Sequence, residues 1–440
     1  MHAPRPSAKV TTSQVFAIAG PAMVANLTTP LIGVVSTTAI GRLNDAALLG
    51  GVAMASFIFD CLFWLFAFLR MGTLAFTAQA IGAGKTGELR LNLVRGLAAA
   101  AAIGAALIAL QAPLATVILK AMGGSDEVTR AARAYFAIRI WSAPLVLANY
   151  VLLGWLIGQA RAGLALSVQI VINIINMIGT VALVLGLGAG VAGAAIAAVA
   201  AEAVGLALGI VIALRLSGGT LAVPRAALLD RAALKRMLTV NRDIMIRTAA
   251  LIAAFLFFTA QGARAGDVTL AANAVLNNFL LVSAFFLDGL ANAAEQLCGQ
   301  ALGARDRGAF AGATRLVVAW GFAFALVVSG CFALFGPMLI DFMTTSDDVR
   351  LSARTYLWFV AASPLLSVFA FAFDGVYIGA TWARDMRNLM VASLLVFLAT
   401  WFALRSFGNA GLWAAQLAHY AARGGLQALR YPALLKKSFG

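Results

Sequence analysis

Five carboxylates stand where apolar residues dominate: Asp60, Glu202, Asp288, Glu295 and Asp374 each interrupt a long hydrophobic run. A charge near the centre of a bilayer costs at least ~2.5–3.5 kcal/mol, so such a residue is a functional candidate by default. Apolar surroundings disfavour the charged form of a carboxyl group, which opens the way to proton exchange near neutral pH. Asp288 and Glu295 are seven residues apart and share one helical face, and Asn277, eleven residues before Asp288, joins it. Asp374 stands in FAFDGVYIG, with Tyr377 one turn later. The chemistry these groups support is the capture and release of a proton, a metal cation or a positively charged substrate. The competing interpretation is that they pair with Arg247, or lie near a water-filled helix end. Asp374, Asp288 and Glu295 are the expected ion-coupling residues, with Arg247, Asn277 and Tyr377 beside them in a substrate cavity.

Two further acids carry less. Asp60, in FIFDCLFW, is a cavity candidate, and Glu202, in AAVAAEAVG, is expected to pair with Arg423, its counterpart 221 positions on. Arg70, in FLRM, reads as an anchor near a helix end, and His419 as a packed helical histidine.

The elements that position these residues follow from composition. Of 440 residues 62% are hydrophobic and 11% charged, with a mean hydropathy of +0.93. A soluble chain could not cover that much apolar surface. Runs of about 20 residues span the ~30 Å of hydrocarbon as helices. The runs are continuous and rich in Ala, Leu, Val and Gly, unlike the alternating strands of a closed barrel. Twelve spans are expected, at 14–41, 48–82, 89–119, 128–158, 163–187, 190–214, 237–263, 268–302, 309–340, 348–380, 386–405 and 410–432. Span 5 carries Asn173, Asn176 and Thr180 at i, i+3 and i+7, one polar stripe in an apolar helix. Span 1 carries Thr28, Thr29, Ser36, Thr37 and Thr38, with Pro21 and Pro30 as expected bends.

The net charge of +15 belongs to the loops rather than to a nucleic-acid partner. Of the 32 Lys and Arg, twenty fall at the termini and in the loops after even-numbered spans, eight fall on the opposite side and four lie within spans. That bias puts both termini in the cytoplasm. The first fourteen residues, including Arg5 and Lys9, are polar, and the apolar run after them reads as a retained first helix rather than a cleaved signal. Cys61, Cys298 and Cys331 lie in apolar runs, so no disulfide framework is implied, and His2 and His419 form no Cys/His cluster. No Walker A motif, Ser-His-Asp set or nucleotide loop appears, so no enzyme or ATP-driven pump is expected.

The chain repeats itself at a spacing of 221. QAIGAGKTG from Gln79 matches QALGARDRG from Gln300, SDEVTRAARAY from Ser125 matches SDDVRLSARTY from Ser346, and GWLIGQA from Gly154 matches GVYIGAT from Gly375. Each half therefore holds six spans, and an even number preserves orientation. The expected fold is an all-α polytopic membrane protein, twelve transmembrane helices in two parallel six-helix repeats. Residues 1–214 form the N-lobe, 215–236 a basic cytoplasmic linker and 237–440 the C-lobe. Such architectures bind substrate between the halves and rock around it.

The sequence resembles a multidrug and toxic compound extrusion (MATE) transporter of the DinF-like branch. The resemblance runs through FLRMGTLAFTAQAIGAG from Phe68, NRDIMIR from Asn241, LDGLANAAEQLCGQALGARD from Leu287, DGVYIGAT from Asp374, MRN from Met386 and GNAGLW from Gly408. It implies two lobes and efflux of amphiphilic, often cationic compounds driven by inward proton or sodium flow. It also implies a coupling aspartate in span 1, where this chain has Ser36, and another four residues after an asparagine in span 5, where Asn176 is followed by Thr180.

The expected function is therefore a secondary active antiporter, with coupling in the C-lobe and Ser36, Asp60, Asn173, Asn176 and Thr180 lining the N-lobe cavity. No bound cofactor is expected beyond the transported H+ or Na+. The partners are a small-molecule substrate and the bilayer of the inner membrane, with no nucleic acid, and the chain acts as a monomer. A flippase for a lipid-linked substrate and an uncoupled or non-transporting membrane protein are the alternatives.

Overall fold

The computed structural model describes residues 10–43 and 45–440; His2, Arg5, Lys9 and the Thr29 side chain lie outside the described residues. Every described element is a helix. Among the described residues, eleven helices are long and apolar enough to cross a membrane: Thr12–Gly41, Ala46–Gly82, Thr86–Ala109, Asp126–Gly158, Ala162–Gly186, Gly190–Leu216, Arg225–Arg264, Asp267–Gly303, Arg307–Met343, Asp347–Gly379 and Ala383–Phe407. A twelfth, Asn409–Phe439, has 31 residues. Its buried face carries His419, Arg423 and Gln427, which lowers its hydropathy without exposing charge to lipid. Each of the twelve matches one expected span and keeps its number below.

Span 1 runs unbroken through Pro21 and Pro30. Span 2 breaks at Phe66 and Ala67, whose N–H groups bond three residues back, to Phe63 (3.0 Å) and Trp64 (3.1 Å), in a 3₁₀-like step. Span 3 differs from the single helix expected over 89–119. It stops at Ala109 and resumes as Gln111–Met122. Pro113 is the reason: it has no N–H to offer the carbonyl of Ala109 and its ring crowds that carbonyl.

The repeat has a backbone signature. The turns after spans 2, 4, 8 and 10 each place one residue in the left-handed region: Gly84 (φ 71°), Ala160 (φ 58°), Arg305 (φ 56°) and Thr381 (φ 54°). The next residue bonds five positions back in every case, Lys85 to Ala80 (2.9 Å), Arg161 to Leu156 (3.0 Å), Asp306 to Ala301 (2.9 Å) and Trp382 to Tyr377 (2.8 Å). This is the Schellman closure, which satisfies carbonyls that a helix end leaves open.

The matched segments GWLIG and GVYIG are also small-xxx-small motifs, which let two helix backbones touch. Gly154 lies on the carbonyl of Arg70 and Gly158 on that of Leu74; 221 residues later, Gly375 lies on the carbonyl of Ala291 and Gly379 on that of Glu295. Span 4 thus packs on span 2 as span 10 packs on span 8.

The chain forms two compact units. One is Val24–Leu238, called the N-lobe below; the other joins Thr239–Gly440 to the described residues up to Met23, called the C-lobe. Phe16 joins the C-lobe by meeting Trp320 edge-on at 4.9 Å. Inside the N-lobe, Phe59 stacks on Phe136 (4.9 Å), and buried Trp155 donates to the Leu89 carbonyl (2.8 Å). The linker turn Arg225–Leu228 is held by Arg95, which donates to the carbonyls of Ala227 and Leu228. The C-lobe core gathers Phe258, Phe279, Phe332, Phe397 and Trp413. Buried Asn273 bonds Asn409 and accepts from the Trp413 indole (2.9 Å), giving the GNAGLW motif a structural task.

Candidate functional site

Asp374 lies at the centre of a buried ionic group. The close approach at Gly375 fixes span 10 against span 8 and sets the carboxylate inside the C-lobe, 4% exposed. Arg247 of span 7 and Arg423 of span 12 both close on its Oδ2. Gln427, one turn after Arg423, donates through Nε2 to Oδ1 (2.7 Å). The backbone carbonyl of Gln427 accepts from the Tyr377 hydroxyl (2.8 Å), and Tyr377 is fully buried. Three helices are thus pinned to one carboxylate. Among the described residues, the Nε atoms of both arginines and Oε1 of Gln427 have no hydrogen-bond partner.

The charge count governs what this group can do. Two guanidiniums meet on one carboxylate, and removing its charge would take from both their direct ion-pair partner in a low-dielectric interior, at a cost of several kcal/mol. Asp374 is the direct counter-charge of both arginines. Asp288 and Glu295 also act electrostatically on Arg247, and Asp288 on Arg423 as well. The two acids differ in access: Asp288 is exposed, whereas Glu295 is 3% exposed. Asn277 is half-buried on the same helix. A carboxylate exposed within a span faces water rather than lipid, because the lipid alternative is so costly.

The N-lobe candidates divide into two sets. Asn173 donates to Thr28 Oγ1 (2.8 Å) and accepts from Gln169 (3.0 Å), tying span 5 to span 1. Thr180 donates to Asn176 Oδ1 (3.4 Å), and both are buried. Ser36 is half-buried on span 1. Asp60 is exposed on span 2 and feels Arg139. Glu202 bonds not Arg423 but Asn149 (2.8 Å) and Arg139 (3.9 Å), inside its own lobe. Positions matched by a repeat share surroundings, not contacts, so the 221 spacing is no guide to pairing.

Sequence reasoning missed Gln427 and misassigned Arg423. The two stand four residues apart, one helical turn, within the last apolar run, and that spacing was the available signal. It also passed over Asp243, which is 1% exposed and accepts from Arg387 (2.8 Å) and Arg242 (3.0 Å), joining the NRDIMIR and MRN motifs. His419 is buried with Nδ1 at the Ser393 carbonyl (3.1 Å). Among the described residues no three His, Cys, Asp or Glu stand together as a metal site.

Comparison with known proteins agrees with the helical fold in two repeats. The MatE family model matches residues 21–182 and again 244–401, once in each half. The chain is 38% identical over 410 residues to the DNA damage-inducible protein F of Escherichia coli (strain K12), covering 92% of this chain and 89% of that one. It is 27% identical over 411 residues to the probable multidrug resistance protein NorM of Caulobacter vibrioides, covering 89% and 84%. A crystal structure of MATE in the bent conformation superposes with a TM-score of 0.88 at 20% identity, covering 97% of each chain.

Proposed function

The chain belongs to the MatE family, and from that premise we propose that it is a secondary active exporter of amphiphilic and cationic small molecules, working by alternating access against an inward flow of protons or sodium. It is a multi-pass membrane transporter rather than an enzyme. We place it in the inner membrane as a monomer, and its loop charges support both termini being cytoplasmic.

One observation carries the coupling assignment. The C-lobe holds an exposed carboxylate, Asp288, within electrostatic reach of two buried arginines that already share Asp374. Ser36 and Thr180 stand where the resemblance implies N-lobe aspartates, and neither can exchange a proton. We assign coupling to the C-lobe because its acids act on two buried arginines: Asp288 and Glu295 exchange the cation, and Asp374 fixes the charge they respond to. A flippase is the second reading, supported by the paired guanidiniums of Arg247 and Arg423. An anionic headgroup would have to displace Asp374 from both.

The test is efflux from proteoliposomes under imposed proton or sodium gradients, with a panel of cationic dyes. Asp288→Asn should abolish gradient-driven efflux. Ser36→Ala and Thr180→Ala should keep coupling and change only which compounds are carried. Coupling that survives Asp288→Asn and fails in the two alanine variants would move the site to the N-lobe and favour sodium, held by hydroxyl and amide oxygens.

A further inference from the structure

Within the N-lobe, the start of span 3 and the linker border an open cleft of about 490 Å³ that the transport scheme leaves unused. Its size falls within the ~300–1,000 Å³ usual for small-ligand sites. Lys85, Glu88, Arg90 and Leu91 line it from the start of span 3, and Val223 and Pro224 line it from the linker. Buried Arg95 fixes the linker wall by donating to the carbonyls of Ala227 and Leu228.

The charges around the cleft do not balance. Glu88 is offset by Arg95, whose guanidinium lies 3.6 Å from its carboxylate. Among the described residues, neither Lys85 nor Arg90 has an ion-pair partner. Lys85 is exposed and Arg90 half-buried, so the cleft presents two uncompensated cations beside the apolar surface of Leu91, Val223 and Pro224.

The internal repeat shows what closes the matched place in the other half. Asp306, 221 residues after Lys85, caps the start of span 9, and its carboxylate accepts from the Ala309 N–H at 2.8 Å. Span 3 has Lys85 at that position and no side-chain cap. The second half carries an anionic oxygen there in its own chain; the first half carries a cation and a cleft. Gly87 keeps that cleft open, since a Cβ there meets nothing within 4 Å.

Depth in the membrane selects the anion. Thr86–Ala109 is long and apolar enough to span, so its first turn stands where hydrocarbon gives way to water, the level of the lipid headgroups. Basic side chains at that level are drawn to anionic lipids. We propose that Lys85 and Arg90 form a site for the phosphate group of an anionic phospholipid, and that Leu91, Val223 and Pro224 cover the apolar part next to it. The headgroup bridges span 3 and the linker that Arg95 already ties to it. The site is independent of the coupling scheme and of the direction of transport.

The experiment is native mass spectrometry of the purified full-length chain in a neutral detergent. The chain is titrated with dioctanoyl phosphatidylglycerol, with dioctanoyl phosphatidylcholine or with inorganic phosphate, and the affinity of the first bound molecule is read. Phosphatidylglycerol should bind tightest. Lys85→Ala and Arg90→Ala should each weaken it about fivefold, the loss of one basic residue facing an anionic headgroup. Gly87→Leu, which fills the cleft and leaves every charge in place, should weaken it about as much. Lys437→Ala removes the same charge from an exposed position in the last turn of span 12 and should match the unmodified chain. Lys85 and Gly87 are exposed, so their variants fold even where Arg90→Ala does not, and their affinities decide the outcome. Equal weakening by Lys437→Ala means diffuse attraction to basic residues and overturns the site. Phosphatidylcholine binding as tightly as phosphatidylglycerol overturns it too. If only inorganic phosphate binds, and loses affinity in the Lys85 and Arg90 variants, the lipid source is overturned.

Discussion

Gly375 lies directly against the carbonyl oxygen of Ala291, and no side chain fits between them. The equivalent contact of Gly154 with Arg70 has the same character. A methyl group at either glycine must push one backbone away from another, and overpacking of this kind costs about 1–3 kcal/mol or more. Gly375→Ala and Gly154→Ala should each lower the melting temperature in detergent by several degrees. Gly330→Ala, where a Cβ meets nothing within 4 Å, should be neutral or stabilising. Equal melting temperatures for all three would mean that the lobes are not held at these crossings.

The four left-handed turn residues permit a finer comparison. Only one, Gly84, is a glycine; Ala160, Arg305 and Thr381 adopt the same conformation with a Cβ. Non-glycine residues pay roughly 1–2 kcal/mol there. Gly84→Ala should therefore destabilise the chain by about 1 kcal/mol, and Arg305→Gly should be neutral or stabilising. Thermal unfolding decides it: a stabilised Gly84→Ala variant would contradict the turn geometry.

Asp374 separates structural from coupling effects. Asp374→Asn leaves two buried guanidiniums facing a neutral amide, a loss of about 3–5 kcal/mol. Arg423→Gln leaves Arg247 and Asp374 as a one-to-one pair and should cost less. Asp288→Asn, at an exposed position, should leave the melting temperature unchanged while removing coupled efflux. An Asp374→Asn variant as stable as the Asp288→Asn variant would remove the fixed counter-charge role.

The orientation is testable with single cysteines. Positions Ser125 and Ser346 begin matched helices after odd-numbered spans, and should label from outside in intact cells. Cysteines at Thr86 and Arg307, in the matched turns after spans 2 and 8, should label only after permeabilisation. Labelling of both pairs from one side would sink the arrangement of parallel halves.

The twelve helices were legible because hydrophobic length is a one-dimensional property, and the repeat because 221 recurs in several phrases. The break before Pro113 was less legible: a proline inside a helix always removes one bond, yet span 1 runs unbroken through Pro21 and Pro30. The ionic groups were not legible. Asp374 was recognisable as costly to bury, but its partners come from spans 7 and 12, and no spacing along the chain encodes which helices meet. The repeat suggested Glu202 with Arg423, and each instead found a partner in its own lobe. Asp288 and Glu295 share a helical face, yet one is exposed and the other buried, because a helix 37 residues long passes from open surroundings into the Gly375 and Gly379 packing.

The buried ionic group also sets an order of events during synthesis. Spans 7 and 10 leave the ribosome before span 12, and 49 residues separate Asp374 from Arg423. During that interval Arg247 and Asp374 can enter the membrane as a neutral pair. Arg423 then arrives as a lone charge whose acceptor is already engaged, so the last helix cannot settle until it has found a site made two spans earlier. Span 12 is therefore the last element to complete the ionic group, and a chain lacking it would keep Arg247 and Asp374 as a pair without the Gln427 bond.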